Sequence, residues 1–279
     1  MNAMSQAATN QHYDLDARLF RLFLDPTLKY SSGLFVNPED NLEEAQQRKL
    51  DFIANQLALK GGEHILDIGS GWGSLVLHLA GRYDCRVTGV TPAPRQAAFI
   101  RERAAALGLA DRVEVHVAQI CDVPFSSSAF DGITLVGSIV HMPEKARVLS
   151  DCYRFLRPHG RLYLSETCFR NETVSQEFAE RPGTRFVRDE IFGGGELLPL
   201  HHYVRFLENA RFSLCGLTDL TAHYYRTIEA WTENALANRS ALEAVRPGVT
   251  DELLKYFEIS NAGWGYTTKQ YALVASKSR

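Results

Sequence analysis

The 279-residue sequence predicts an α/β fold in which a seven-stranded, mostly parallel sheet is covered by helices on both faces. Two observations lead to this fold class. Apolar runs of strand length alternate with segments of helical periodicity, and strands that are joined by helices pair in parallel. A glycine-rich loop also follows the first apolar run directly, as in open α/β sheets that bind a ligand at the strand ends.

A helical cover is predicted before the sheet. Residues 12–35 form an aromatic-rich amphipathic stretch that ends in a Tyr-Ser-Ser-Gly turn. Residues 42–59 have apolar side chains at helical spacing behind Asn41, a residue type that commonly caps helices. We therefore assign residues 1–41 to an N-terminal helical cover, followed by a helix that leads into the first strand.

The regular part of the sheet is predicted between residues 42 and 168. Its helices are expected around residues 74–82, 96–107 and 144–156. Its strands are expected at five apolar runs, HILDI (64–68), RVTGV (86–90), RVEVHV (112–117), GITLV (132–136) and RLYLS (161–165).

The alternation of strands and helices stops after Cys168. Residues 169–211 carry mixed charge, three consecutive glycines and Pro199, a composition typical of an inserted cap. Strand character returns at residues 212–220 and 271–275, on either side of a mostly helical stretch. Residues 212–279 are therefore predicted to complete the sheet and to add a helical part to the cap.

Composition and charge exclude several classes of function. A formal net charge of -3 gives no electrostatic footprint for nucleic acid. The five cysteines lack CxxC pairing, which argues against a disulfide framework or a zinc site and favours a reducing compartment. The N-terminus has no apolar leader, and no apolar run approaches the ~20 residues that span a bilayer. We expect a cytoplasmic protein without a metal, a nucleic-acid partner or an integral membrane segment; whether it forms a homo-oligomer stays open.

The strongest motif is the loop that follows the first strand. Glycines at every second position, Gly69, Gly71 and Gly73, permit positive φ and the close approach of a ligand to backbone. A dinucleotide site would need GxGxxG spacing and an acidic residue at the end of the second strand, where this chain has Thr91. With Asp67 in the strand before it, the pattern DxGxGxG is the signature of Rossmann-like class I methyltransferases, which use S-adenosylmethionine.

Further motifs make the resemblance more specific. The segments HYDL, FLDP, YS, LEEAQQRKLDFI, VTGVTPAPRQ and HYYRTIEAW resemble the family of cyclopropane-fatty-acid and mycolic-acid synthases and the related small-molecule C- and N-methyltransferases. The resemblance covers residues 12–276. It implies a seven-stranded class I methyltransferase fold with an antiparallel last strand, S-adenosylmethionine as cofactor and a small-molecule acceptor enclosed by the cover and the cap.

The resemblance also assigns cofactor-binding residues. Residues of the cover are expected at the methionine end of the cofactor, the loop glycines under its centre, and residues after the second and third strands at the ribose and adenine. An amide and a hydroxyl can serve the ribose diol in place of the missing carboxylate. The expected set is Tyr30, Ser31, Asp67, Gly69, Gly71, Gly73, Thr91, Gln96, Gln119, Ile120 and Gly137.

The resemblance further implies that the reaction differs from cyclopropane synthesis. Cyclopropane-forming relatives use a bound bicarbonate as base, but its usual cysteine, glutamate and histidine are Ser32, Val140 and Ser165 here. Only the tyrosine, Tyr224, is kept. We therefore expect methyl transfer to a carbon, nitrogen or oxygen atom of a small, partly apolar acceptor in secondary metabolism. Two alternatives stay open: cyclopropane or C-methyl synthesis on unsaturated lipid, and a cyclase that binds S-adenosylmethionine without net methyl transfer.

Three residues are candidate catalytic groups. His141 is either a general base or a contact to the backbone or cofactor. Glu166 follows the fifth strand, where open α/β sheets place ligand groups, and is the alternative base. Tyr224 is expected to orient the acceptor or to stabilise positive charge with its ring face, unless it only packs.

Two groups of residues outside these motifs have simpler interpretations. His201 and His202 are expected to begin a helix, because the sequence offers no third metal ligand at a fitting spacing. Trp231, Trp264 and Tyr266 are candidates for the wall of an apolar acceptor pocket, although aromatic residues of a helical cap more often belong to a core.

Overall fold

A computed structural model describes residues 17–278, and the HYDL motif lies outside this range. The strands are β1 (His64–Ile68), β2 (Arg86–Thr91), β3 (Val113–Val117), β4 (Phe130–Val136), β5 (Leu156–Phe169), β6 (Ser213–Asp219) and β7 (Thr268–Ser276). They form one sheet in the order β3-β2-β1-β4-β5-β7-β6. Strands β1 to β5 run parallel, and β7 pairs antiparallel with both β5 and β6. The predicted sheet, including its antiparallel last strand, is confirmed.

Helices follow the strands in the predicted alternation. They are α1 (Ala17–Phe20), α2 (Leu42–Gln56), α3 (Ser74–Arg82), α4 (Pro94–Ala106), α5 (Lys145–Phe155), α6 (Glu172–Phe178), α7 (Pro182–Arg185), α8 (Leu200–Asn209), α9 (Thr221–Ala237), α10 (Arg239–Val245) and α11 (Val249–Gly263). A π-helical turn, Phe186–Ile191, continues α7. None of the helices within residues 17–278 is long and apolar enough to cross a membrane.

The first long helix begins where the sequence predicts. The Asn41 side chain accepts a hydrogen bond from the Glu44 backbone N–H at 3.0 Å, and the Glu44 carboxylate accepts one from the Asn41 N–H at 3.1 Å. This reciprocal pair satisfies two backbone donors that the helix itself leaves without partners. Helix α2 therefore starts at Leu42, although it ends at Gln56, three residues before the predicted end.

Apolar side chains cover both faces of the sheet. On one face, Phe155 of α5 and Tyr203 and Leu207 of α8 pack against buried residues of β1, β4 and β5. On the other face, α2, α3 and α4 supply Leu50, Leu79 and other fully buried side chains. Burial of such side chains on two faces stabilises a mostly parallel sheet, whose strands must be shielded from water on both sides.

A third apolar cluster lies apart from the two sheet faces, and we call it the cap cluster. It combines residues of the cover (Phe20, Phe23), of the inserted stretch 169–211, which we call the insert (Phe186), and of the C-terminal helices (Trp231, Phe257). Side chains of α9 and of Asn238, which follows it, bind the cover's backbone. Asn234 Nδ2 donates to the Phe23 carbonyl at 3.0 Å, and Asn238 Nδ2 donates to the Leu22 carbonyl at 2.9 Å. The Thr227 hydroxyl accepts from the Gly33 N–H at 2.9 Å. Three distant parts of the sequence thus form one unit.

The stretch 169–211 divides between the cap and the sheet. Its first part, through the π-helical turn, contributes to the cap cluster. Helix α8 instead packs on the sheet with α5 and β6, and Tyr203 and Leu207 belong to that sheet face. The apolar face of α8 determines this placement, so the part of the insert that faces the cap ends before Leu200.

Candidate active site

A cavity of about 630 Å³ lies between the carboxyl edge of the sheet and the cap. The loop after β1 forms its floor, and its walls come from the turn after β4, the end of β5, the cover, the insert and the C-terminal helices. This is the edge at which open α/β sheets bind ligands. Six of the expected cofactor-binding residues line the cavity: Tyr30, Ser31, Gly69, Gly71, Gln96 and Gly137.

Glycine is present at the three loop positions for different structural reasons. All have positive φ, at 81°, 54° and 81° for Gly69, Gly71 and Gly73. A Cβ on Gly69 would lie 2.3 Å from Ser138 Cβ, and one on Gly73 would lie 2.5 Å from Ile100 Cγ1, so packing within the protein excludes side chains there. A Cβ on Gly71 would meet no described atom within 4 Å. The space over Gly71 is therefore available to a ligand, which fits the S-adenosylmethionine that the motif predicts.

Asp67 is hydrogen-bonded both to the glycine loop and to the neighbouring strand β4. It is buried at the end of β1, where its Oδ1 accepts a hydrogen bond from Thr134 Oγ1 at 2.6 Å. Its carbonyl also accepts from Ser70 Oγ at 3.0 Å. Burial raises the pKa of the carboxyl, and the charge of Lys29 opposes that shift. Within residues 17–278, the cavity lining does not include Asp67, so a direct role in binding the cofactor stays a prediction.

The residues expected at the ribose and adenine are only partly in the cavity. Thr91 Oγ1 donates to Gln96 Oε1 at 2.8 Å, and Gln96 lines the cavity while Thr91 lies beneath it. Thr91 thus orients Gln96. Ile120 packs in the sheet core, and Gln119 precedes it in a short turn. Among the described residues, Gly73, Thr91, Gln119 and Ile120 do not line this cavity, and their contact with the cofactor remains a prediction.

The cover supplies a rigid wall at the expected methionine end. Ser31 Oγ accepts a hydrogen bond from Lys49 Nζ at 2.7 Å, and the Ser31 carbonyl accepts from Gln46 Nε2 at 2.7 Å. The Tyr30 ring lies 5.1 Å from the Trp231 ring, measured between centroids. Contacts with α2 and α9 thus hold these two cavity-lining residues of the cover in place.

Glu166 is a buried carboxylic acid in the cavity wall. Its Oε2 accepts from the Val140 N–H at 3.2 Å, and its Oε1 accepts from the Thr167 N–H at 2.9 Å. Burial raises its pKa to about 7, although these two hydrogen bonds and the charge of Lys145 favour the ionised form. A carboxyl group that titrates near neutral pH can accept a proton from an acceptor and release it again.

His141 has properties that make it a weak base. Its Nδ1 donates to the Gly194 carbonyl at 3.0 Å, since a carbonyl can only accept, and this contact fixes the tautomer. Burial lowers its pKa to about 4. The ring is therefore neutral at pH 7, and it ties the insert to the turn after β4.

Tyr224 and Trp264 form a stacked pair in the cavity wall. Their ring centroids are 4.5 Å apart, with an interplanar angle of 25°. Burial holds the pKa of Tyr224 well above its usual value, and the Tyr256 hydroxyl and the Glu166 charge add to that shift. Tyr224 therefore keeps its phenolic proton and offers a neutral hydroxyl to the cavity, close enough to Glu166 to sense its charge.

Two of the three aromatic residues proposed for the pocket wall lie elsewhere. Trp264 lines the cavity as expected. Trp231 is fully buried in the cap cluster, and the side chain of Tyr266 is 65% exposed. Trp231 thus follows the alternative interpretation as a core residue, and Tyr266 is neither core nor wall, because periodicity cannot separate a core-facing ring from a cavity-facing or an exposed one.

The histidine pair begins a helix, as expected, but it does have a third polar neighbour. Ligand atoms of Glu172, His201 and His202 lie within 4.8 Å of one another at the start of α8. Arg205 Nη2 lies 3.1 Å from His202 Nδ1, and because arginine only donates, the ring proton is on Nε2. That nitrogen faces Glu172 Oε2 at 3.2 Å, which fits a hydrogen bond better than a shared metal ion.

Uncharged residues occupy the positions at which the resemblance expects bicarbonate ligands. Ser32 Oγ donates to the Gly33 carbonyl, and Ser165 Oγ accepts from Gln270 Nε2 at 2.9 Å. Val140 places a side chain without polar atoms in the cavity wall. The Val140 N–H of this turn donates to the carboxylate of Glu166 at 3.2 Å.

Sequence reasoning missed many residues of the cavity lining, among them Lys29, Phe192 and Tyr256. Phe192 and Tyr256 lie in segments that only tertiary packing brings to the cavity, so no local pattern marks them. Lys29 had a usable signal, since it is a single cation between Leu28 and Tyr30 in a stretch that the resemblance places beside the cofactor.

Comparison with known proteins places the whole chain among methyl-transferring enzymes. The sequence profile described as "Mycolic acid cyclopropane synthetase" matches residues 2–271. The chain is 29% identical over 263 residues to "Probable fatty acid methyltransferase" of Pseudomonas putida, covering 93% of this chain and 65% of that protein. It is 30% identical over 258 residues to "Cyclopropane mycolic acid synthase 3" of Mycobacterium tuberculosis (strain CDC 1551 / Oshkosh), with 88% of each chain covered.

A solved structure agrees with this similarity. "Mycolic acid cyclopropane synthase CmaA1 complexed with SAH and CTAB" superposes with a TM-score of 0.88 at 26% identity, covering 98% of both chains. The chain nevertheless spans only 65% of the Pseudomonas putida relative, so that protein's full activity does not transfer directly.

Proposed function

The chain belongs to the mycolic acid cyclopropane synthetase family, whose cofactor is S-adenosylmethionine, and on that premise we propose that it methylates a small, partly apolar acceptor with Glu166 as proton acceptor. We further propose that this acceptor belongs to secondary metabolism rather than to a membrane lipid. The observation that carries the proposal is the buried, titratable carboxyl group of Glu166 in the cavity wall.

The residues of the cavity fit the cofactor. When it is bound, S-adenosylmethionine supplies an electrophilic methyl group on a sulfonium. Gly71 leaves room for a ligand against the backbone, and Gln96 and the cover residue Ser31 offer polar atoms beside it. These residues bind and orient, so the chemical contribution of the chain depends on the opposite wall.

Glu166 takes the proton that the acceptor loses. An amine, hydroxyl or activated carbon that gains a methyl group releases one proton, and an adjacent carboxylate accepts it. With a pKa near 7, the group is partly ionised at neutral pH, whereas His141 with a pKa near 4 is a much weaker base. We therefore assign His141 to holding the insert and Glu166 to proton transfer.

The opposite wall supports a partly apolar acceptor. The stacked Tyr224 and Trp264 rings present an aromatic surface, and Phe192 also lines the cavity. The Tyr224 hydroxyl and Glu166 are polar groups near that surface. The cofactor and the acceptor share a cavity of about 630 Å³, which favours a small acceptor.

Lipid modification is the second candidate function, because several relatives carry names of lipid-modifying enzymes. Cyclopropane-forming relatives are similar in fold, and they depend on bound bicarbonate. In this chain Val140 and Ser165 stand where the resemblance expects charged or basic ligands for that anion. Under the proposed function, the reaction proceeds without added bicarbonate because Glu166 is built into the protein.

A labelling experiment tests the proposal. The full chain is incubated with S-adenosylmethionine that carries a deuterated methyl group, with small amines, phenols and activated carbon acids in one arm and vesicles of unsaturated phospholipid in another. A small acceptor that gains the label, with one S-adenosylhomocysteine per product and no response to bicarbonate, supports it. Label that enters only the lipid overturns it in favour of lipid modification, and a product of unchanged mass without S-adenosylhomocysteine indicates a cyclase.

A further inference from the structure

Lys29 differs from the other buried lysines of the described chain. Within residues 17–278, four lysines are buried: Lys29, Lys49, Lys145 and Lys277. Three ammonium groups have hydrogen-bond acceptors, namely Ser31 Oγ for Lys49, the Met142 carbonyl for Lys145 and the Leu156 carbonyl for Lys277. The Lys29 ammonium has no hydrogen bond and no ion pair with any residue of that range, since only its backbone atoms are bonded.

The position of Lys29 shows where a partner would lie. Its side chain lines the cavity beside Tyr30 and Ser31 and is only 9% exposed to solvent. The glycine loop, including the open space over Gly71, forms the adjoining floor. An ammonium group that is largely removed from water without a counter-ion is costly, and proteins normally pair such a group. The cavity is the direction from which that partner can come.

Charged groups around Lys29 partly offset the effect of its burial. Burial lowers the pKa of Lys29, and the carboxylates of Asp67 and Asp25 oppose that shift. Both carboxylates are already engaged: Asp67 accepts from Thr134, and Asp25 accepts from its own turn at Thr27 and Lys29. They act on Lys29 through their charge, and no residue in the described range 17–278 accepts a hydrogen bond from its ammonium group.

We propose that Lys29 binds the α-carboxylate of the methionine part of S-adenosylmethionine and thereby selects ligands that carry this group. The inference rests on the proposed placement of the cofactor over Gly71. Gln46 holds the backbone that carries Lys29, because its Nε2 donates to the carbonyls of Lys29 and Ser31 at 3.4 and 2.7 Å. An acceptor carboxylate or a free anion such as bicarbonate has the same chemistry, so the experiment must distinguish the sources.

The test compares two ligands and three variants by isothermal titration. The ligands are S-adenosylhomocysteine and its decarboxylated analogue, which keeps the adenosine, the sulfur and the amine. For the unmodified chain we expect the analogue to bind roughly 10- to 100-fold more weakly, the usual effect of a charge-assisted hydrogen bond. Lys29→Met should lower the affinity for S-adenosylhomocysteine by a similar factor and leave the affinity for the analogue nearly unchanged. Lys29→Arg should retain most of the preference.

Lys60→Met is the matched control, because Lys60 is exposed and its removal changes the net charge equally. Thermal unfolding without ligand checks that each variant folds. If Lys29→Met does not fold, the unmodified chain and Lys29→Arg still decide the question, because equal binding of both ligands by the unmodified chain overturns the proposal.

Other results separate the remaining explanations. If Lys29→Met weakens both ligands equally, Lys29 only supports the site, and the proposal fails. If Lys29→Met leaves the affinities of both ligands unchanged but raises the KM of the acceptor or abolishes bicarbonate binding, the anion that Lys29 binds comes from another source. The proposal also fails in that case. If the unmodified chain binds neither ligand, the placement of the cofactor is overturned, which is a different result from a failure of Lys29.

Discussion

The two halves of the cavity are built in different ways. The cofactor half has its centre in one continuous segment, residues 67–74, where backbone conformation and missing side chains create the space. The acceptor half uses side chains from β5, the insert, α9 and α11, which are far apart in the sequence. The space for the centre of the cofactor therefore depends on local backbone geometry, whereas turnover and acceptor choice depend on long-range packing. Substitutions should therefore separate these two properties.

Glu166→Gln should give the largest separation. The amide cannot take up the proton, so the turnover rate should fall by roughly 10²- to 10⁴-fold, while the affinity for S-adenosylhomocysteine stays nearly unchanged. In the unmodified chain the rate should rise with pH through about 7, because only the ionised carboxylate is a base. Steady-state kinetics and titration measure both quantities, with the exposed Glu208→Gln on α8 as control. A parallel loss of cofactor affinity would show that Glu166 serves the cofactor half.

Gly71→Asp should abolish binding in the cofactor half of the cavity without unfolding the protein. The backbone there has a φ of 54°, which aspartate tolerates better than most residues, and no described atom obstructs a Cβ. The added carboxylate occupies the ligand's space, so affinity for S-adenosylhomocysteine should fall by roughly 100-fold or more with little change in Tm. Gly69→Ala is the contrasting variant, because its Cβ would lie 2.3 Å from Ser138 Cβ and should lower Tm. Equal unfolding of both variants would contradict the assignment.

Tyr224→Phe should produce a smaller change confined to the acceptor half. Phenylalanine keeps the stack on Trp264 and removes only the hydroxyl, so the KM of the acceptor should rise by roughly 3- to 10-fold, while S-adenosylhomocysteine binds as before. Tyr225→Phe is a close control, because that neighbouring side chain is 43% exposed. A KM that does not respond would assign Tyr224 to packing.

The smallest expected effect is on the pH dependence of the free energy of unfolding, again for Glu166→Gln. Glu166 has a folded-state pKa of about 7, above the 4.5 of an unfolded chain, so the native state binds more protons between these values and loses stability as pH rises through this window. Glu166→Gln removes this dependence. The Tm of the variant relative to the unmodified chain should therefore increase from about pH 5 to about pH 8, equivalent to roughly 1 to 3 kcal/mol. Calorimetry at several pH values measures it, and a constant difference would refute the shifted pKa.

Local patterns predicted the sheet and the cofactor loop because their signals are local. Alternating apolar runs located the strands, Asn41 located the start of α2, and the glycine spacing located the loop. Sequence alone could not separate Gly71 from Gly69 and Gly73, because the reason lies in the positions of Ser138 and Ile100.

The acceptor half was less accessible to sequence reasoning for a related reason. The stack of Tyr224 on Trp264 and the contact of Glu172 with His202 join residues that are tens of positions apart. Trp231 and Trp264 are the same residue type on neighbouring elements, yet one is core and one is wall. Long-range packing makes that choice, and it is not encoded in any short window of the sequence.

The cap cluster has a consequence for how such an enzyme changes over evolutionary time. Its buried residues are separate from those of both sheet faces, although its helices supply much of the wall that meets the acceptor. Substitutions in separate cores add nearly independently in their cost to folding. A lineage can therefore exchange acceptors by altering the cap, one tolerated step at a time, while the inherited loop continues to hold the same methyl donor.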